Sequence, residues 1–325
     1  MTASKPSAVT PELSRHHHFQ LMKPLLHSIA IAATITAALY DASLHAAQPS
    51  APIPEALQSL VCSKRNHEGT PAIRIFTKNG LPAISINTAA PLTDAQWDAV
   101  AALHPKLFFF NDQGLTDKGM DRLVALDPVS VSLRITPITG AGAAKFGAMK
   151  HLTSLTSHHL HAPTPEAKEA LANHPTLEDF RTAGHFCIEA LGASHLKSVE
   201  LAEKAATPAR VEELAARSKI ESLSLFGHNV ITVDDACMAS VAKIKTLKEL
   251  KLAFTALTFE GGLKHLLALP DLRQLSLSMV DVSDADLQKF KAAMPKVQVK
   301  HTPMKPEYRK TWDEMIAKAK GSSGR

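Results

Sequence analysis

The amino-acid sequence is organised by a period. Leu247, Leu250, Leu252, Leu257, Leu263, Leu266 and Leu269 stand at gaps of three, two, five, six, three and three. Residues 271–295 repeat that spacing with Leu272, Leu275, Leu277, Val282, Leu287 and Phe290, and earlier copies place Ile220, Leu223, Leu225 and Ile231, then Leu196, Val199 and Leu201, in the same slots. A second marker keeps time: a small or apolar residue followed by Thr or Ser. It appears as Leu92-Thr93, Leu115-Thr116, Ile138-Thr139, Pro163-Thr164, Ala206-Thr207, Ile231-Thr232, Leu257-Thr258 and Val282-Ser283. The steps are 23, 23, 25, 43, 25, 26 and 25 residues, and the step of 43 holds two units, one of them degenerate, around 176–194. A repeat in the low-to-middle twenties is the mark of a solenoid.

Each unit has a physical reading. The anchors at spacing three and two make a short strand whose final alternating pair points inwards while its neighbours point outwards. The gap of five is the turn, and its Thr, Ser or Asp then caps the free N–H groups of a helix. In "LTDAQWDAVAAL" and "LTDKGMDRLVAL" that helix carries its own apolar face, Trp97, Val100 and Leu103 or Met120, Leu123 and Leu126. One such unit cannot bury its apolar face alone, whereas stacked copies bury it against each other.

The L-x-x-L-x-L strand, the turn and the "LTD" helix start resemble the leucine-rich repeat family, in particular its bacterial members of the cysteine-containing and ribonuclease-inhibitor-like classes. The resemblance covers residues 83–300 and implies an α/β fold, a leucine-rich repeat solenoid in which a curved parallel sheet carries helices on its convex side. About nine repeats are expected, with caps at both ends. The family's Asn, Cys or Thr turn position is held by Gln113, Thr136, His161, Lys204, Asn229, Thr255 and Val280. Residues 48–82 read as linker and N-terminal cap, with Ile73 and Ile75 in a first, irregular strand. Residues 295–301 read as a last strand. Beyond them, 301–325 hold a helix whose Tyr308, Trp312, Met315 and Ile316 share one face; that face either covers the end of the stack or docks elsewhere.

Residues 1–47 read as a leader. Lys23 precedes an apolar run over Leu25–Tyr40, and small residues surround Ala46 and Ala47, which is the order of a secretory signal peptide starting at Met22. An uncleaved anchor is the alternative. Export implies a periplasmic or extracellular, oxidising setting, yet the three cysteines, Cys62, Cys187 and Cys237, have no metal-type spacing and read as small buried hydrophobes. The net charge of +5 is scattered among acids, so a solvated surface is expected rather than a nucleic-acid patch.

No constellation for catalysis emerges, and no cofactor or metal is expected. "GAGAAK" at 140–145 mimics a dinucleotide loop but lacks the third glycine and sits in the repeat's own turn register. The 17 histidines include His151, His158, His159 and His161, whose side chains alternate between faces and so do not share an ion; His104, His174, His195 and His265 read as residues of helix ends. What remains is the outward ladder of the strands, a wall on the order of 40 Å long for nine strands. Its candidates for partner binding are Phe109, Asn111, Arg134, His158, Arg181, Glu200, Phe226, Lys251 and Gln274. The expected function is that of an exported, non-enzymatic module binding a protein or peptide on its concave face, with a polysaccharide as second choice. No nucleic-acid partner is expected, nor a membrane span apart from the leader. The alternative is a repeat adaptor resembling F-box-associated leucine-rich repeat proteins of ubiquitin-ligase or effector complexes.

Overall fold

A computed structural model of the chain describes residues 52–63, 71–158, 160, 162–217, 219–227, 233–306, 308–310 and 312–314. All of them belong to one compact unit, 47–325. The leader, His159, His161, Asn229, Ile231-Thr232, Met315 and Ile316 lie outside the described residues.

Eleven strands form one sheet in chain order: β1 (Ile73–Lys78), β2 (Leu81–Thr88), β3 (Leu107–Asp112), β4 (Ser130–Arg134), β5 (Ser154–His158), β6 (Asp179–Thr182), β7 (Ser198–Ala202), β8 (Ser222–Phe226), β9 (Glu249–Ala256), β10 (Gln274–Asp281) and β11 (Gln298–Pro303). Every neighbouring pair from β2 onwards is parallel. This is the leucine-rich repeat solenoid read from the period. The first strand differs from the irregular segment expected. It is regular and antiparallel to β2, turning back through Asn79 and Gly80, both with positive φ (52° and 77°). Gly is at home in that conformation.

The strand alternation sets the core. Ile84, Phe108, Val131, Leu155, Phe180, Val199, Leu223, Leu250 and Leu275 form one continuous inner row, none more than 1% exposed. Full burial of one such side chain is worth about 1.5–3 kcal/mol. A second row runs Ile86, Phe110, Leu133, then Ser157 and Thr182, then Leu201, Leu225, Leu252 and Leu277. The two polar members mark the short repeat, in which Asp179 pairs with Ser198 only 19 residues on. There Ser157 Oγ donates to Thr182 Oγ1 at 3.0 Å or to the Phe186 carbonyl at 3.1 Å, because the abbreviated loop brings main chain into the interior.

The segments opposite the sheet are less uniform than the expected helix in each repeat. Thr93 caps Asp94–Ala102 through a full capping box with Gln96, and Ser283 caps Asp284–Ala293 through the Asp286 N–H. Elsewhere short 3₁₀ segments accompany an α-helix, at Lys145–Ala148, Pro165–Ala167 and Glu203–Ala205, or replace it, at Ile188–Gly192 and Leu263–Ala268. Residue spacing explains the last of these. A 3₁₀ helix turns once per three residues, so Leu263, Leu266 and Leu269 stay fully buried together. In the α-helix Gly119–Leu126 the same spacing buries Met120 and Leu123 while Leu126 drifts partly out.

At two turns a carboxylate of the preceding repeat holds the Thr that opens the next one. Asp117 accepts from the Thr139 N–H at 2.8 Å and its hydroxyl at 2.5 Å. Asp235 accepts from the Thr258 N–H at 3.0 Å and its hydroxyl at 2.7 Å. These carboxylates need room: a Cβ on Gly142 would lie 2.2 Å from Asp117 Oδ1, and one on Gly261 2.2 Å from Asp235 Oδ2. The glycines of "GAGAAK" are therefore packing glycines.

At the strand ends, Asp112, Ile135, Glu203, Phe254 and Met279 all have positive φ, between 49° and 56°. Each follows an outward residue and bulges the chain; in β10 the register shifts between Ser278 and Val280. After Ile135, Phe254 and Met279 the next residue turns inside, burying Thr136, Thr255 and Val280. Thr255 Oγ1 donates to the Val233 carbonyl of the preceding turn.

After β11, residues 306, 308–310 and 312–314 return towards the ends of β9 and β10. Tyr308 meets Phe254 edge-on at 6.3 Å, Arg309 pairs with Asp281, and Trp312 is 4% exposed. The described part of the C-terminal helix thus packs against the sheet.

Candidate interaction face

The nine candidate residues all occupy outward positions, on the side of the sheet away from the described helices. Register sorts them into three rungs. The middle rung runs Ser85, Phe109, Ser132, Thr156, Arg181, Glu200, Ser224, Lys251, Ser276 and Lys300. Asn111, Arg134 and His158 are consecutive on the rung beyond it, and Phe226 pairs with Ala202 and Ala253 further along that rung. Gln274 pairs with Glu249 on the rung before it.

Their environments differ. Phe109 is not an exposed aromatic; it is 9% exposed, because Phe76 of β1 packs on it at 5.7 Å and the Lys78 ammonium lies 5.1 Å from its ring centroid. Arg74 in turn lies 5.8 Å from the Phe76 centroid. Phe76 pairs with Ala83, an outward position, so Arg74, Phe76 and Lys78 all project onto the same outward face. Spacing alone missed these three, since their place depends on the antiparallel turn; the alternation in "IRIFTK" was the available signal. His158 is buried, and Phe226 is half-buried.

From β6 to β9 the face is charged and internally compensated. Arg181 Nε donates to Asp179 Oδ2 at 3.1 Å, and Asp179 also accepts from Ser154 Oγ at 2.9 Å. Lys251 lies 4.0 Å from Glu249. Glu200 stands between these pairs; burial pushes its carboxyl above the ordinary range, Asp179 adds to that shift, and Arg181 and Lys251 oppose it. Just before the strands a row of exposed charges alternates, with Glu178–Lys197 at 2.7 Å and Glu221–Lys248 at 2.8 Å. Pairs this exposed contribute about 0–1 kcal/mol each. They therefore shape the field more than they stabilise the stack.

The histidines do not assemble. His151 bonds Asp127 on the surface at 2.6 Å. His174, expected as a cation-compatible end residue, is instead buried and bridges repeats, with Nε2 donating to the Phe146 carbonyl at 3.2 Å and Nδ1 accepting from the Thr176 N–H at 3.4 Å; burial lowers its pKa. Among the described residues no group of three or more His, Cys, Asp or Glu is placed to hold a metal ion. Cys187 and Cys237 are buried, and burial raises both thiols, Cys237 to about 12. Cys62 departs from the expected buried hydrophobe: it is only half-buried and accepts from Asn87 Nδ2 at 3.2 Å.

A parallel sheet grown one repeat at a time, with the described helices all on one of its faces, defines a leucine-rich repeat solenoid fold. A family model described as the LRR repeats of FBD-associated F-box protein At5g56370 matches residues 209–299, from the helix Pro208–Arg217 to β11. No curated protein matches the chain in sequence. Among solved structures, internalin C2 from Listeria monocytogenes is similar at 17% identity and a TM-score of 0.39, over 67% of this chain and 86% of that one. No helix among the described residues is long and apolar enough to cross a membrane.

Proposed function

We propose that this chain is an exported, non-enzymatic interaction module that binds a protein or peptide partner on the concave face of its repeats. One observation carries the reading. Ten parallel strands present a continuous ladder of outward side chains, away from the described helices and mixed in charge, with Arg181, Glu200, Phe226 and Lys251 near its middle. Arginine and aromatic side chains supply much of the energy at protein interfaces, and rigid strands hold them without an ordering cost on binding. Export rests on the leader pattern at 22–47, and the bacterial, cysteine-containing repeat class on the "LTD" helix starts.

The match at 209–299 favours a second reading, a repeat adaptor of the F-box-associated type. Terminal sequencing of the protein isolated from its own cells separates the two. A terminus near residue 47 supports export, and an intact leader in the cytosol supports the adaptor. Binding itself is tested by affinity capture with the full chain and with Arg181→Ala plus Phe226→Ala. Loss of the captured partner is expected; equal capture removes the face.

A further inference from the structure

The sheet stops at β11 before its inner rows are closed. We infer that the outer edge of β11 accepts an extended acidic peptide segment of a partner protein as a further strand, with an Asp or Glu beside Lys300 and apolar residues over Val299 and His301. This edge is separate from the face discussed above and does not depend on that reading.

The main chain supplies the first argument. The Gln298 N–H donates to the carbonyl of Arg273, the residue before β10, at 2.8 Å. Backbone groups alternate sides along a strand, so the N–H and C=O of Val299 and His301 face away from β10. Among the described residues no strand pairs with them, since the sheet order ends at β11. Tyr308 and Arg309 of the following segment reach inboard, to Phe254 of β9 and Asp281 of β10. An unpaired strand edge is a template for another strand.

The side chains say what that strand carries. Val299 continues the inner row of Leu250 and Leu275, and His301 that of Leu252 and Leu277. The four leucines are at most 1% exposed, whereas Val299 and His301 are half-buried. His301 is fixed there by Nε2, which donates to the Val280 carbonyl at 3.0 Å. Apolar residues laid beside these two complete both rows, as each repeat does for the one before it. Between them Lys300 points to the opposite face and is exposed, on the rung of Lys251 and Ser276.

Charge selects the occupant. Residues 287–306 hold five lysines and no Asp or Glu. Of these, Lys291, Lys296, Lys300 and Lys305 are exposed, and none makes an ion pair among the described residues. Opposite charges across neighbouring strands are favourable and like charges are not. A second copy is therefore a poor occupant: its β11 brings Lys300, and its β1 brings Arg74 and Lys78. Lysine on an edge strand guards against such self-pairing, and the same lysine admits a strand bearing an acid.

The test is a random-peptide display selection on the full chain, with affinities of the best peptides measured by fluorescence anisotropy. The expected winners alternate apolar residues around an Asp or Glu. N-methylation of one alternate set of peptide amides should weaken binding about tenfold, and methylation of the other set should change it little. Only the peptide is altered, so damage to the fold cannot produce that difference. Val299→Pro removes an outward N–H where an edge strand tolerates proline, and it should weaken the same peptides by a similar factor. A Lys300→Glu chain should select Lys- or Arg-bearing peptides instead. Winners that tolerate both sets of N-methyl groups overturn the added strand. Winners that lose binding on Arg181→Ala plus Phe226→Ala but not on Val299→Pro belong to the concave face and overturn the edge. A selection without winners, or heparin bound in preference to every selected peptide, also overturns it.

Discussion

His174 shows how much one residue's place in the stack decides. It follows the helix Lys168–Ala172, where an exposed imidazolium would suit the helix end. The repeat instead folds it inwards, and its ring joins two units through the Phe146 carbonyl and the Thr176 N–H. The donor to a carbonyl must be Nε2–H, so Nδ1 is the acceptor and the ring is neutral. Protonation would turn Nδ1 into a donor facing another donor. Because burial lowers the folded pKa below 6.5, the unfolded chain takes up the proton first as pH falls. Stability from this site is complete above about pH 6.5 and declines below it until the folded ring also titrates, by at most about 1.4 kcal/mol per pH unit. Urea unfolding at pH 7, 6 and 5 should show a steeper loss for the native chain than for His174→Gln. Parallel slopes would remove His174 as the cause.

Between elements, the informative device is the carboxylate that reaches forward one repeat. Asp235 caps the N–H and hydroxyl of Thr258, and Thr258 Oγ1 accepts from the Gly261 N–H at 3.0 Å. A side chain on Gly261 would meet Asp235 Oδ2 at 2.2 Å and Thr258 Oγ1 at 2.9 Å. Gly261→Ala should therefore cost about 1–3 kcal/mol despite alanine's better helix propensity, because the new methyl displaces the cap. Once Asp235→Ala has emptied that space the same substitution should cost far less, leaving a coupling of at least about 0.5 kcal/mol in a double-mutant cycle of thermal or urea unfolding. Additive costs would mean that the glycine is not answering to the carboxylate. The sequence displays such devices only in part. Strand alternation is local, so the inner row from Ile84 to Leu275 was legible from period-two spacing. Thr93 and Ser283 were legible as caps for the same reason. The forward reach of Asp117 and Asp235, the inward turn of Thr255 after a positive-φ residue, and the 3₁₀ choice at Leu263–Ala268 depend on a neighbouring repeat already being in place. Lys78 entered the candidate face through the antiparallel return of β1, a pairing that no repeat period encodes.

On the scale of the molecule, a solenoid has contacts only between successive repeats, so its cohesion is a chain of neighbour interfaces and is limited by the weakest. That interface is the junction of β5 and β6. β6 has four residues, and the second inner row there holds Ser157 and Thr182 where other repeats place Ile, Phe or Leu. Two hydroxyls satisfying each other and one carbonyl avoid the penalty of unpaired burial, but they contribute about 0.5–1.5 kcal/mol per bond, less than the fully buried leucine they replace. Phe180 carries the apolar continuity across the junction and is fully buried. Phe180→Ala should cost about 3–5 kcal/mol locally and should uncouple the two sides. Native-state hydrogen exchange would then report one opening free energy for β2–β5 and a different one for β7–β10, with denaturant unfolding in two steps. The same break would separate Phe109, Asn111 and Arg134 from Glu200, Phe226 and Lys251, since the middle rung crosses that junction between Thr156 and Arg181. A variant that still opens in one step, with all strands at one free energy, would mean that β6 couples the stack as firmly as any full-length repeat.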